Sequence, residues 1–152
     1  MSGREKGSSD KGVKAEQLAC EWLTEQGLRV VAKNWRCRHL ELDIIAIGPL
    51  LNAEGRVVEA KGLDGGEFLH IVEVRSRGAL NKVASSAEDL HPLVEPELTI
   101  DIQKQRNIIN AANAFVRRFR ISQEVVFDVV AVVFLPSGPS LRYIPNAFTP
   151  LW

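Results

Sequence analysis

Two short stretches constrain this chain more than any other feature. Leu40-Glu41-Leu42-Asp43-Ile44-Ile45-Ala46 and His70-Ile71-Val72-Glu73-Val74-Arg75-Ser76-Arg77 each set carboxylates inside an apolar, β-branched run. Runs of this kind read as buried strands, where an uncompensated carboxylate costs several kcal/mol. Side chains alternate along a strand, so Glu41 and Asp43 are expected on one face, and Glu73 and Arg75 on one face. If the two strands are neighbours, Asp43 and Glu73 converge on a point that a hard divalent cation would neutralise. That arrangement is the core of a metal-dependent phosphodiesterase site.

A chain of 152 residues, 45% hydrophobic and 25% charged, has the size and balance of one soluble domain with a real core. No apolar stretch is long enough to span a bilayer, and the N-terminal MSGREKGSSDKG lacks the apolar segment of a secretory signal. Cys20 and Cys37 are too few for a disulfide scaffold and lack metal-ligand spacing. Both read as reduced thiols of a cytoplasmic protein. The formal net charge of zero excludes a generic nucleic-acid sponge, yet charge is unevenly spread. Arg29, Lys33, Arg36 and Arg38 occur with no acid among them, and Arg117, Arg118 and Arg120 form a second basic cluster.

Along the chain, residues 1–11 read as a disordered tail and 12–152 as a single α/β domain. Ala15, Leu18, Ala19, Trp22 and Leu23 recur at helical spacing and the pattern stops at Gly27, predicting a helix near 12–26. Leu28–Trp35 and Leu40–Ile47 predict a hairpin with a basic turn, ended by Gly48-Pro49. Residues 49–67 and 78–99 read as insertions, the first an extended hairpin or loop, the second carrying Pro92 and Pro96. Phe68–Arg75 predicts a strand. A helix is expected over 101–119 with a buried stripe of Ile108, Ile109, Ala112, Phe115, Val116 and Phe119. Val125–Leu135 is an apolar run suited to a central strand, and a short strand Leu141–Ile144 closes the chain.

These residues resemble the bacterial YraN-type family, which shares the fold of the PD-(D/E)xK nuclease superfamily, alongside Holliday-junction resolvases and restriction endonucleases. Five stretches carry the resemblance in order: Gly12–Ala19 with Glu16, Leu40–Ala46, Val72–Arg77, Lys104-Gln105 opening a helix, and the pair Phe127–Ala131 and Ile144–Phe148. The resemblance implies a restriction-endonuclease-like mixed sheet of about four or five strands flanked by helices. It implies Asp43 and Glu73 as ligands of Mg²⁺ or Mn²⁺, with Glu16 as an extra ligand or water-binder from the first helix. Glu16, Asp43, Glu73 and Arg75 form the expected catalytic set, and Arg77, Lys104 and Gln105 the expected nucleic-acid contacts. Many nucleases of the superfamily carry lysine where this chain has Arg75. Arginine stays charged and cannot serve as a base, although it can hold a scissile phosphate. Leu40 also departs from the glycine of the family's motif.

The resemblance thus implies a metal-dependent endonuclease-like protein that binds and cleaves DNA, branched or recombining DNA by analogy with the resolvases, and leaves a homodimer open; no membrane role is expected. The alternative is a catalytically weak or inactive nucleic-acid-binding or scaffold protein of the same fold. A third reading, a protein-interaction domain, requires Arg75 or Arg77 to pair Asp43 and Glu73 structurally. Glu59-Ala60-Lys61 is a literal Glu-x-Lys but lacks the apolar strand that leads into Glu73. His39, His70 and His91 form no ligand cluster, and Asp128 reads as a structurally paired residue of a buried strand.

Overall fold

Apolar alternation and two amphipathic helices build a three-layer arrangement, seen in a computed structural model that describes residues 6–59, 66–78 and 100–150. Helix α1 (Lys6–Glu25) precedes the hairpin of β1 (Arg29–Cys37) and β2 (Leu40–Gly48). Two short strands, β3 (Leu50–Leu51) and β4 (Val57–Val58), pair with each other before β5 (Phe68–Gly78). Helix α2 (Ile102–Phe119) then crosses to β6 (Glu124–Leu135), and β7 (Gly138–Phe148) returns beside it. The main sheet has the order β1-β2-β5-β6-β7. Among the described strands of this sheet only β5 and β6 are parallel, and α2 lies in the crossover that such a pair requires.

The two described helices cover opposite faces. Leu42, Ile45, Ile71, Phe127 and Val129 pack with Ile108, Ile109 and Phe115 of α2. Ile44, Ala46, Val72, Val130 and Val132 pack with Ala15, Ala19 and Leu23 of α1. Covering both faces explains why β6 reads as a continuous apolar run. Each fully buried leucine or isoleucine contributes about 1.5–3 kcal/mol, so these two clusters dominate the stability of the sheet.

Helix ends follow local chemistry. Gly27, at φ 102°, closes α1 with Leu28 N–H donating to Leu23 O and Gly27 N–H to Thr24 O. This paired closure needs a left-handed residue, which glycine supplies without strain. At α2, the Asp101 carboxylate accepts from Lys104 N–H at 2.8 Å, a regular N-cap.

Three expectations are corrected. Helix α1 begins at Lys6 rather than near Gly12, because the stretch KGSSDKG that opens it has no apolar residue for a periodic pattern to reveal. The last strand spans Gly138–Phe148, well beyond Leu141–Ile144. Its Pro139 and Pro145 mask the strand in sequence but are tolerated on a sheet edge. Phe119, placed by its spacing in the buried stripe, is 48% exposed at the end of α2. The insertion at 49–67 contains the β3–β4 pair; of the insertion expected at 78–99, Gly78 ends β5 and the rest, with His91, lies outside the described residues. So do Ala60 and Lys61 of the literal Glu-x-Lys.

Candidate metal and phosphate site

The β2–β5 ladder runs from Gly48 opposite Phe68 to Ile44 opposite Val72. One further step would set Asp43 against Glu73, and there the ladder stops. Instead, Asp43 Oδ2 accepts from Val74 N–H at 2.9 Å. The carboxylate satisfies a backbone donor that the departing strand leaves unpaired. On the other side of β2, Lys33 pairs with Ile44 and Trp35 with Leu42, with Asn34 between them at φ 51°. Asparagine is among the few non-glycine residues that adopt this conformation readily. Leu42 packs under α2 but Ile44 packs under α1. Simple alternation therefore breaks at Asp43, and Glu41 lies at the exposed rim, paired with Arg36 at 3.6 Å.

Glu73 comes from the buried part of β5, with only 9% of its surface exposed. Its carboxyl is pushed up to about 7, first by burial and then by the neighbouring Asp43, against the opposing pull of Lys104. Asp43 raises it through hydrogen bonding as well as through its charge. Lys104, in the first turn of α2, brings its Nζ to 3.3 Å from Glu73 Oε2. Glu16 approaches from α1. Burial, then Asp43, raise its carboxyl, while a hydrogen bond from the Asn34 side chain lowers it.

Glu16, Asp43, Glu73 and Lys104 are thus gathered from two helices and two strands. Arg75 and Arg77 follow Glu73 along β5 and are half-buried. Glu73 is ion-paired with Lys104 of α2. Gln105 behaves differently from its neighbour: its side-chain amide donates to Ile100 O at 2.7 Å, on its own helix start. Sequence reasoning missed Asn34, whose signal is a polar residue inside a strand facing Asp43.

Among the described residues, no group of three or more histidine, cysteine, aspartate and glutamate side chains is arranged to hold a metal alone. Two hard carboxylates fit Mg²⁺ or Mn²⁺ under that condition, because Mg²⁺ commonly takes one or two carboxylates and completes its shell with water and substrate phosphate. The shared repulsion at Glu73 is the cost that such a cation would relieve.

A second polar cluster lies in the interior. Asp128 Oδ2 is 2.7 Å from His70 Nδ1 and accepts from Tyr143 OH at 2.7 Å, while Asp128 Oδ1 accepts from Asn146 N–H at 2.8 Å. His70 Nε2 faces the carbonyls of Gly48 and Pro49. Burial and then Asp128 push the Tyr143 hydroxyl far up. This network ties the ends of β2, β5, β6 and β7 together, in keeping with a structural Asp128 and a His70 apart from Glu73. Cys20 and Cys37 are both free.

An open mixed sheet between helices, with an aspartate and a glutamate meeting where two strands part, defines the class: the PD-(D/E)xK nuclease-like fold. The model of the family described as "Uncharacterised protein family UPF0102" matches residues 15–132. A UPF0102 protein of Parabacteroides distasonis is 32% identical over 92% of this chain and 93% of its own length. One from Pseudomonas aeruginosa is 33% identical over 97% of this chain and 98% of its own. A third, from Bifidobacterium longum, is 33% identical over 90% and 91%. The chain belongs to this family, the YraN-type proteins.

Proposed function

We propose that this protein is a divalent-metal-dependent phosphodiesterase that acts on DNA in the cytoplasm. The observation that carries the reading is the meeting of Asp43 and Glu73 at the parting of β2 and β5, with the Lys104 ammonium 3.3 Å from Glu73. Asp43 and Glu73 would hold Mg²⁺ or Mn²⁺, which when bound polarises a phosphodiester and lowers the pKa of an attacking water.

The remaining work falls to side chains. Lys104 supplies the lysine that Arg75 does not, entering from the helix instead of the strand. A lysine can hold or pass on a proton at Nζ, which an arginine cannot do in a protein. Arg75 and Arg77, on β5 beyond Glu73, would grip phosphate oxygens through their planar guanidinium groups. Glu16 would orient water from the α1 side.

The test is a cleavage assay on branched and linear DNA with Mg²⁺ or Mn²⁺. Cleavage should appear with wild type and vanish with Asp43→Asn or Glu73→Gln. One observation favours a second reading: Lys104 closes on Glu73 as an ion pair, as a fold retained only for binding would allow. That reading, a nucleic-acid-binding protein of the same fold, predicts salt-sensitive DNA binding without cleavage under any metal condition.

A further inference from the structure

Phe119 is a large aromatic side chain at the end of an otherwise well-buried helical stripe, yet half of it faces solvent. It sits at the lip of an open groove of about 600 Å³ between β1 and the last turns of α2. The groove is lined by Trp35, Arg36, Cys37, Arg117, Arg118 and Phe119, and no acidic residue lines it. Trp35 stands edge-on to Phe115, with ring centroids 5.2 Å apart, and Phe119 packs 4.7 Å from Phe115. The aromatic floor is therefore held from below. The Arg118 guanidinium lies 5.1 Å from the Phe119 centroid, and Arg36 is tied to Glu41 at 3.6 Å.

Basic residues in the last turn of a helix complement its dipole, which by itself accounts for Arg117 and Arg118. It does not account for an exposed phenylalanine between them and a tryptophan-bearing edge strand. Aromatic faces flanked by arginines are the chemistry that receives unpaired bases and their phosphates. A duplex keeps its base faces stacked inside and offers no such surface, so the partner is single-stranded.

We propose that this groove binds an unpaired stretch of nucleic acid, in which a base displaces the Arg118 guanidinium from the Phe119 ring face and Arg117 and Arg118 hold the flanking phosphates. The inference rests on the nuclease reading only in giving the groove a purpose. Along α2, Phe119 lies about 22 Å from Lys104, at 1.5 Å per residue. That is the length of about six to seven nucleotides at the 3.4 Å rise of a stacked strand, and of fewer in an extended single strand. The groove would hold a single-stranded flank while the carboxylates of Asp43 and Glu73 face a phosphate further along. The substrate class it implies is DNA with a single-stranded arm, such as a flap, gap or open junction.

The test is fluorescence anisotropy with a labelled thymidine oligonucleotide, in chelator and without divalent metal, so that no hydrolysis is required. Wild type should bind it more tightly than a duplex of equal length. Phe119→Ala should weaken binding about tenfold with little change in salt dependence, and Phe119→Tyr should retain it. Arg117→Ala with Arg118→Ala should reduce the salt slope by about 1.4, the share of two single-strand phosphate contacts. All three positions are exposed, and circular dichroism would verify their folding. Groove variants that bind like wild type, or a wild type that prefers duplex, would overturn the proposal while leaving any metal-dependent cleavage intact. A wild type that binds through Phe119 but never cleaves would overturn the nuclease reading and leave the groove standing.

Discussion

Lys104 Nζ stands 3.3 Å from Glu73 Oε2, joining the first turn of α2 to the buried part of β5. The ion pair opposes the burial and the Asp43 charge that push the Glu73 carboxyl upward. It also puts a lysine beside the carboxylate that precedes Arg75 in the strand motif. If Lys104 manages a proton, Lys104→Ala should cut cleavage by about 100-fold or more. Lys104→Arg should preserve the charge and stay nearly as slow, because a guanidinium does not give up its proton. Single-turnover rates would separate the cases; an arginine variant as fast as wild type would limit Lys104 to holding charge.

The raised Glu73 carboxyl makes stability depend on pH. Its folded value of about 7 exceeds the ordinary 4.5, so the folded state binds this proton more tightly than the unfolded state. The stabilisation is full below about 4.5 and is lost as pH rises through about 7. Its size is on the order of 3 kcal/mol, from about 1.4 kcal/mol per unit. Thermal melts of metal-free protein between pH 5 and 8 should show that decline. Glu73→Gln should flatten it and raise the melting temperature at pH 8.

The sequence made the fold legible through its buried strands and through α2, whose apolar residues repeat on the sheet side. Asp43 and Glu73 were readable because a carboxylate in a β-branched run demands compensation. Less legible was everything that depends on an irregular backbone. Asn34 at φ 51° breaks the alternation around Asp43, a non-local event that no period-two pattern anticipates. The first turns of α1 lack an apolar face, and β7 is interrupted by Pro139 and Pro145. Lys104, one helical turn before Ile108, reads in sequence as a nucleic-acid contact on the face turned toward the sheet; its pairing with Glu73 is set by the crossover and not by neighbouring residues. The exposure of Phe119 is equally hidden: helical spacing places it on the core side, but at the end of α2 it lies at the lip of the groove beside β1, 48% exposed.

Cation binding should couple to the same proton. Calorimetry with Mn²⁺ at pH 6 should detect proton release, because Glu73 is largely protonated there and must ionise to act as a ligand. Release should shrink at pH 8. Asp43→Asn combined with Glu73→Gln should abolish the binding. Equal heats from wild type and the double variant would remove the metal from the proposed mechanism.

The buried network around Asp128 should behave as structure and not as chemistry. His70 Nδ1, Tyr143 OH and Asn146 N–H all converge on its carboxylate. Asp128→Ala would leave all three without an acceptor in a dry interior. Removing one partner of a buried pair costs about 3–5 kcal/mol. At about 2–4 °C per kcal/mol for a domain near this size, the melting temperature should fall by about 10 °C. His70→Ala should cost a similar amount, since it removes the other half of the pair. Mn²⁺ binding and DNA cleavage, measured well below the melting transition, should survive both changes, because neither residue touches Asp43 or Glu73. Loss of metal binding in a still-folded Asp128→Ala protein would show that the network also sets the geometry of the carboxylate site.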